Sequence, residues 1–185
     1  GDSNTAFGVS SLAANTTASN NTAVGSSALL SNTTGTGNTA VGDISLDTNT
    51  TGNYNSSFGR GSLHDNTTGA SNVAVGASAL ESNTTASNNT AVGTSALLAN
   101  TTGTRNNAFA LSDNVTGGYN VALGYAALNQ NTSNYNTAIG YEALLRNVGA
   151  ANNTAVGYRA LDHNTTGQYN VAVGTSTLDA NTTAD

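Results

Sequence analysis

The 185-residue chain carries four Lys+Arg residues, all arginine, against ten acidic ones, a net charge of −6, and it has no Cys, Pro, Met or Trp. So little cationic charge excludes a surface built to neutralise phosphates, and the lack of cysteine removes disulfides, thiolate metal sites and thiol nucleophiles together. No apolar run reaches the roughly 18 to 20 residues that span a bilayer, and 21 glycines with only 5% aromatic residues leave too few large apolar groups for an ordinary globular core.

What the chain has instead is a repeat. Units begin in chain order at Asn4, Asn21, Asn38, Asn55, Asn72, Asn89, Asn106, Asn120, Asn136, Asn153 and Asn170, with a dominant period of 17. The template is Asn-Thr-Ala-Val-Gly, two variable residues, Ala-Leu, two variable residues, Asn-Thr-Thr-Gly and two more variable residues. Its fourth position is always apolar, from Phe7 and Val24 to Val156 and Val173; its ninth is always leucine and its twelfth always asparagine. Gly fills the fifth position except at Ala110, which suits a bend or a close approach of two backbones. The unit from Asn106 to Tyr119 is three residues short, best aligned by a deletion between Ala110 and Leu111, and the next is one short; because the apolar and Asn columns survive, the short coil is expected to stay in the stack with a local offset.

Units this short are too small for helical repeats, and Asn, Thr, Gly and β-branched residues disfavour helix. Hairpin meanders would call for Asn-Gly or Asp-Gly turns, and the chain has neither. The reading is therefore an all-β fold, a parallel β-solenoid or β-roll of about eleven coils, with like positions stacked about 4.8 Å apart over a rod of roughly 50 Å. One continuous repeat domain covers residues 1–185, a segment of a longer fibre or a filament subunit; the opening Gly1 suggests a processed or excised piece, and both ends expose strand edges. The expected core pairs the fourth- and ninth-position columns: Val24, Leu29, Val41, Leu46, Val75, Leu80, Val92, Leu97, Val156 and Leu161. The expected hydrogen-bonded spine is the twelfth-position ladder, Asn15, Asn32, Asn49, Asn66, Asn83 and Asn100.

The units Asn136-Thr-Ala-Ile-Gly-Tyr-Glu-Ala-Leu144 and Asn153-Thr-Ala-Val-Gly-Tyr-Arg-Ala-Leu161 resemble the head repeats of trimeric autotransporter adhesins and similar repeats in phage tail-fibre proteins. The likeness extends over almost the whole chain. It implies a homotrimeric extracellular, cell-surface or virion fibre segment with an adhesive or spacing role. The adhesin repeat is shorter, nearer the 14 residues of the unit at Asn106.

Candidate chemistry is sparse. His64 and His163 lie beside Asp65 and Asp162 but six units apart, about 29 Å along a straight stack, and read as surface residues. Asp47, Glu81, Asp162 and Asp179 share the tenth position as solvated carboxylates without the Gly-rich nonapeptide of calcium β-rolls. No catalytic motif stands out, so no enzyme, metal or other cofactor is expected. Tyr125, Tyr141 and Tyr158 form a sixth-position ladder that either stacks for stability or stacks on a cell-surface glycan. Tyr54, Tyr119, Tyr135 and Tyr169 close their units as turn or rim residues. The twelfth-position Asn heads a sequon in ten units, which makes Asn15, Asn32, Asn49, Asn66, Asn83, Asn100, Asn164 and Asn181 candidate glycosylation sites, unless burial in the ladder forbids it. Two function classes follow: a self-associating structural fibre, trimeric or end to end, and an ice-binding solenoid using Thr columns at the second, thirteenth and fourteenth positions. Val73, Val121 and Val171 interrupt the second-position column, and Thr33 and Thr34 cannot share one face if the chain is extended there.

Overall fold

The computed structural model describes residues 1–109 and 114–183; Ala110 and Leu111, which carry the missing glycine and the deletion, lie outside them. Eleven three-residue strands, one per unit, form a single parallel sheet in sequence order: β1 (Thr5–Phe7), β2 (Thr22–Val24), β3 (Thr39–Val41), β4 (Ser56–Phe58), β5 (Val73–Val75), β6 (Thr90–Val92), β7 (Asn107–Phe109), β8 (Val121–Leu123), β9 (Thr137–Ile139), β10 (Thr154–Val156) and β11 (Val171–Val173). The described residues contain no helix, and the fold is a β-solenoid whose coils stack in register, so that Ala23 pairs with Ala40 and Phe58 with Val75. The short unit keeps its place: Phe109 of β7 pairs with Leu123 of β8 although 14 residues separate them.

Strand alternation decides what the interior contains. The middle strand residue faces inward, so Ala23, Ala40, Ala74, Ala91, Ala138 and Ala155 are buried, and they meet the eighth-position alanines and the ninth-position leucines. Leu29, Leu46, Leu80 and Leu161 are fully enclosed and Leu97 nearly so. The fourth-position valines are not core. Val24, Val41, Val92 and Val156 are half-buried and Val75 is 38% exposed, because an inward alanine at position three turns position four to the outside. Only small residues, alanine or serine, stand on the strand opposite the leucines. Where Ser57 replaces the strand alanine, it accepts a hydrogen bond from Ser45 at 2.8 Å and donates to the Ser62 carbonyl at 2.9 Å, across the full thickness of the coil.

The corners use left-handed backbone. Positions seven, nine and seventeen recur with φ near +55°, as in Ser95 (56°), Leu97 (52°) and Arg105 (59°), each an unfavourable conformation for a residue with a Cβ. The fifth-position glycine is required for a different reason. At Gly59, φ is 139° and a Cβ would sit 2.4 Å from the carbonyl oxygen of Gly76 in the next coil. Gly59→Ala should therefore lower the unfolding free energy by about 3 kcal/mol, because it combines strain with a clash against backbone. Ser95→Gly, which relieves a left-handed residue, should leave stability unchanged or raise it; urea denaturation of both variants distinguishes the two cases.

Candidate functional surfaces

Two asparagine ladders run inside the rod. From Asn32 to Asn147, each twelfth-position amide spends one N–H on the preceding coil and the other on its own turn: Asn66 Nδ2 donates to Asn49 Oδ1 at 2.9 Å and to the Gly69 carbonyl at 3.0 Å, while its Oδ1 accepts from Asn83 Nδ2 at 2.9 Å. The pattern runs unbroken from Asn15 through Asn32, Asn49, Asn83 and Asn100 to Asn147. The second ladder, which the repeat pattern did not single out, uses the first-position asparagines. Asn38 Oδ1 accepts the backbone N–H of Asn55 at 2.9 Å, and Asn38 Nδ2 donates to the Gly52 carbonyl at 2.8 Å. The unvarying Asn that opens every unit was its available signal.

This geometry answers the glycosylation question at position twelve. Asn32, Asn49, Asn66, Asn83, Asn100 and Asn164 are fully buried, and in the five from Asn32 to Asn100 both amide hydrogens are engaged. Asn15 and Asn181, in the end coils, are half-buried. A glycan on the buried set has no room in the folded chain.

Asn66→Asp tests the ladder through pH. Its carboxylate would face the Asn49 oxygen and the Gly69 carbonyl, two acceptors in a buried site, so its folded-state pKa rises above the unfolded value. Stability should then be near that of the parent below about pH 4, and fall as pH rises through the elevated folded pKa, by about 3 kcal/mol at neutrality. Thermal melts of parent and variant from pH 3 to pH 7 measure the difference.

The outer face of the sheet is an apolar strip. The fourth-position column passes from Phe58 and Val75 through Val92 and Phe109 to Leu123, Ile139 and Val156, with the second-position column of Thr39, Val73, Thr90, Val121 and Thr137 beside it. Neither column contains a charged residue. Most charged groups cluster at positions six, seven, ten and eleven, around Asp43, Asp47, Arg60, His64, Asp65 and Glu81, and around Glu142, Arg146, Arg159, Asp162, His163 and Asp179.

In the second of these clusters Asp162 turns inward instead of standing beside Asp179. It is fully buried, and Arg159 donates to its Oδ2 from Nε at 3.0 Å and Nη2 at 2.6 Å, with Glu142 3.4 Å from Arg159. Asp162 raises the Arg159 guanidinium further above its usual range. His163 packs against Arg146, and His64 against Asp65 (2.8 Å) and Asp47 (3.8 Å). Burial raises the Asp47 carboxyl, with His64 opposing. Among the described residues, no three metal-capable side chains come together.

Tyr125, Tyr141 and Tyr158 stack ring on ring, with centroids 5.2 and 5.4 Å apart and planes inclined by 17° and 11°. Each inner ring face is covered by its neighbour, so this ladder does not offer Tyr141 as a platform for a sugar. The carboxylate of Glu142 raises the Tyr141 phenol above its ordinary range. A second stack pairs Tyr119 and Tyr135 at 4.9 Å, with Arg105 over Tyr119 and donating to its hydroxyl at 2.9 Å. The thirteenth-position threonines are occupied as well: Thr33, Thr50 and Thr67 each donate to a carbonyl of the next coil at 3.1 Å. The fourteenth-position threonines, Thr17, Thr34, Thr51, Thr68, Thr85, Thr102 and Thr116, stand exposed in seven successive coils.

Fold and surfaces together define a β-solenoid repeat protein. No family model, curated protein or solved structure matches the chain.

Proposed function

We propose that the chain is a non-enzymatic structural segment of an extracellular fibre, and that copies associate through the outer face of the sheet. The observation that carries this reading is the continuous, uncharged apolar column at position four. Contiguous apolar surface of this kind marks association sites, and ladders of identical side chains at one spacing are self-complementary between copies held in register. The repeat resemblance adds a three-chain arrangement with the strips facing a common axis, in a surface appendage or virion fibre. An adhesive role toward cell-surface glycans would use the outward ring faces of Tyr125 and Tyr158 or another surface, since Tyr141 is covered on both sides.

Light scattering on the intact chain tests the proposal. About three times the chain mass is the expected result. A single-chain mass at high concentration defeats the strip as an interface, and a mass that grows without limit moves the contact to the open edges of β1 and β11.

A second reading, ice binding, is supported by the exposed fourteenth-position column, whose hydroxyls repeat once per coil on an uncharged side of the rod. Freezing hysteresis that disappears in Thr68→Tyr would support it, and absence of hysteresis in the parent would dismiss it.

A further inference from the structure

The sequons that matter for modification are not the ones in the ladder. Three others straddle the corner that leads into a strand: Asn20-Asn21-Thr22, Asn88-Asn89-Thr90 and Asn152-Asn153-Thr154. In each, the first asparagine is exposed at position seventeen, in a left-handed conformation with φ of 61°, 64° and 60°, and the middle asparagine is buried in the first-position ladder. The middle asparagine is buried while its two neighbours reach solvent, so the acceptor amide and the threonine hydroxyl of the sequon are both accessible. Within the described residues the side chains of Asn20, Asn88, Asn152, Thr22, Thr90 and Thr154 donate to no protein group. This is the opposite of the ladder asparagines, whose amide hydrogens are spent inside the rod. The three sites also recur every fourth coil, about 19 Å apart along one edge.

We infer that Asn20, Asn88 and Asn152 are the N-glycosylation acceptors of the folded single rod, before any copy covers its outer sheet face, and that the rod would carry a row of glycans at four-coil intervals. In the transfer, Nδ2 attacks the anomeric carbon of a nucleotide-activated sugar. The N–C bond forms as the bond from that carbon to the nucleotide's phosphate oxygen breaks, the nucleoside diphosphate leaves, and Nδ2 loses one proton to the transferase.

The test uses the folded chain with a soluble asparagine glucosyltransferase and UDP-glucose, beside peptides from a digest of the same chain as the unfolded reference, with occupancy read by peptide mass mapping. The folded chain should gain hexose on Asn20, Asn88 and Asn152, while the peptides also gain it on Asn32, Asn49 and Asn66. Thr90→Ala should abolish occupancy at Asn88 alone, and Thr90→Ser should restore it. Equal modification of the ladder asparagines in folded chain and peptides would overturn the inference. So would three unmodified corner sites in the folded chain, whether or not the peptides accept sugar there.

Discussion

Leu63→Asp is expected to abolish cooperative folding of the central coils. Leu63 is fully buried, its N–H donates to the Ala79 carbonyl at 2.9 Å, and the leucines stacked on either side of it, Leu46 and Leu80, are equally enclosed. Truncation to alanine removes most of the only large apolar side chain its coil places inside, for about 3 kcal/mol, and the inward strand residue of that coil, Ser57, is tied by hydrogen bonds to Ser45 and Ser62 and is not free to fill the space. Aspartate adds a charge with no donor aimed at it, and the total reaches about 5 kcal/mol or more. In a one-dimensional stack each coil is stabilised by its two neighbours, so the damage spreads to adjacent coils. Hydrogen exchange should show protection lost on both sides of Leu63 before it is lost at the ends; a melting curve equal to the parent's would show that the leucine column is not the core.

Val75→Lys with Val92→Lys should have the reverse profile. Both side chains lie on the outer face of β5 and β6, where a lysine head reaches water in the single chain, so the melting temperature of the isolated rod should change little. In an assembly built on that face, two ammonium groups would be buried against the Phe58 and Phe109 region of a neighbouring copy without partners, and association should fall by on the order of a hundredfold or more. Thr68→Lys, placed in the exposed fourteenth-position column, is the control that adds charge elsewhere and should leave the mass unchanged. Association that survives the double variant would remove the strip as the contact.

The 17-residue period, the fixed Leu and the fixed Asn identified parallel coils, because identical side chains recurring at one spacing have only one arrangement in which all of them stack. Leu29 and Leu46 inside, and Asn32 bonded to Asn15, follow from that arrangement alone. The orientation of a three-residue strand does not follow, since Thr-Ala-Val is too short for its alternation to reveal which side is covered. Hydrophobicity pointed Val41 inward; the thin coil, whose walls meet at Ala and Ser contacts, admits Ala40 instead and turns Val41 out. The same cross-section decided the rest. It engaged the amide hydrogens of the Asn49 sequon inside the rod and left the Asn88 sequon at a corner, and it set neighbouring tyrosines at one coil spacing, where their rings cover one another. Sequence periodicity determined which residues stack, because stacking is a relation between equivalent positions. Which face each column presents was decided by tertiary structure, because it depends on how little space lies between the two walls.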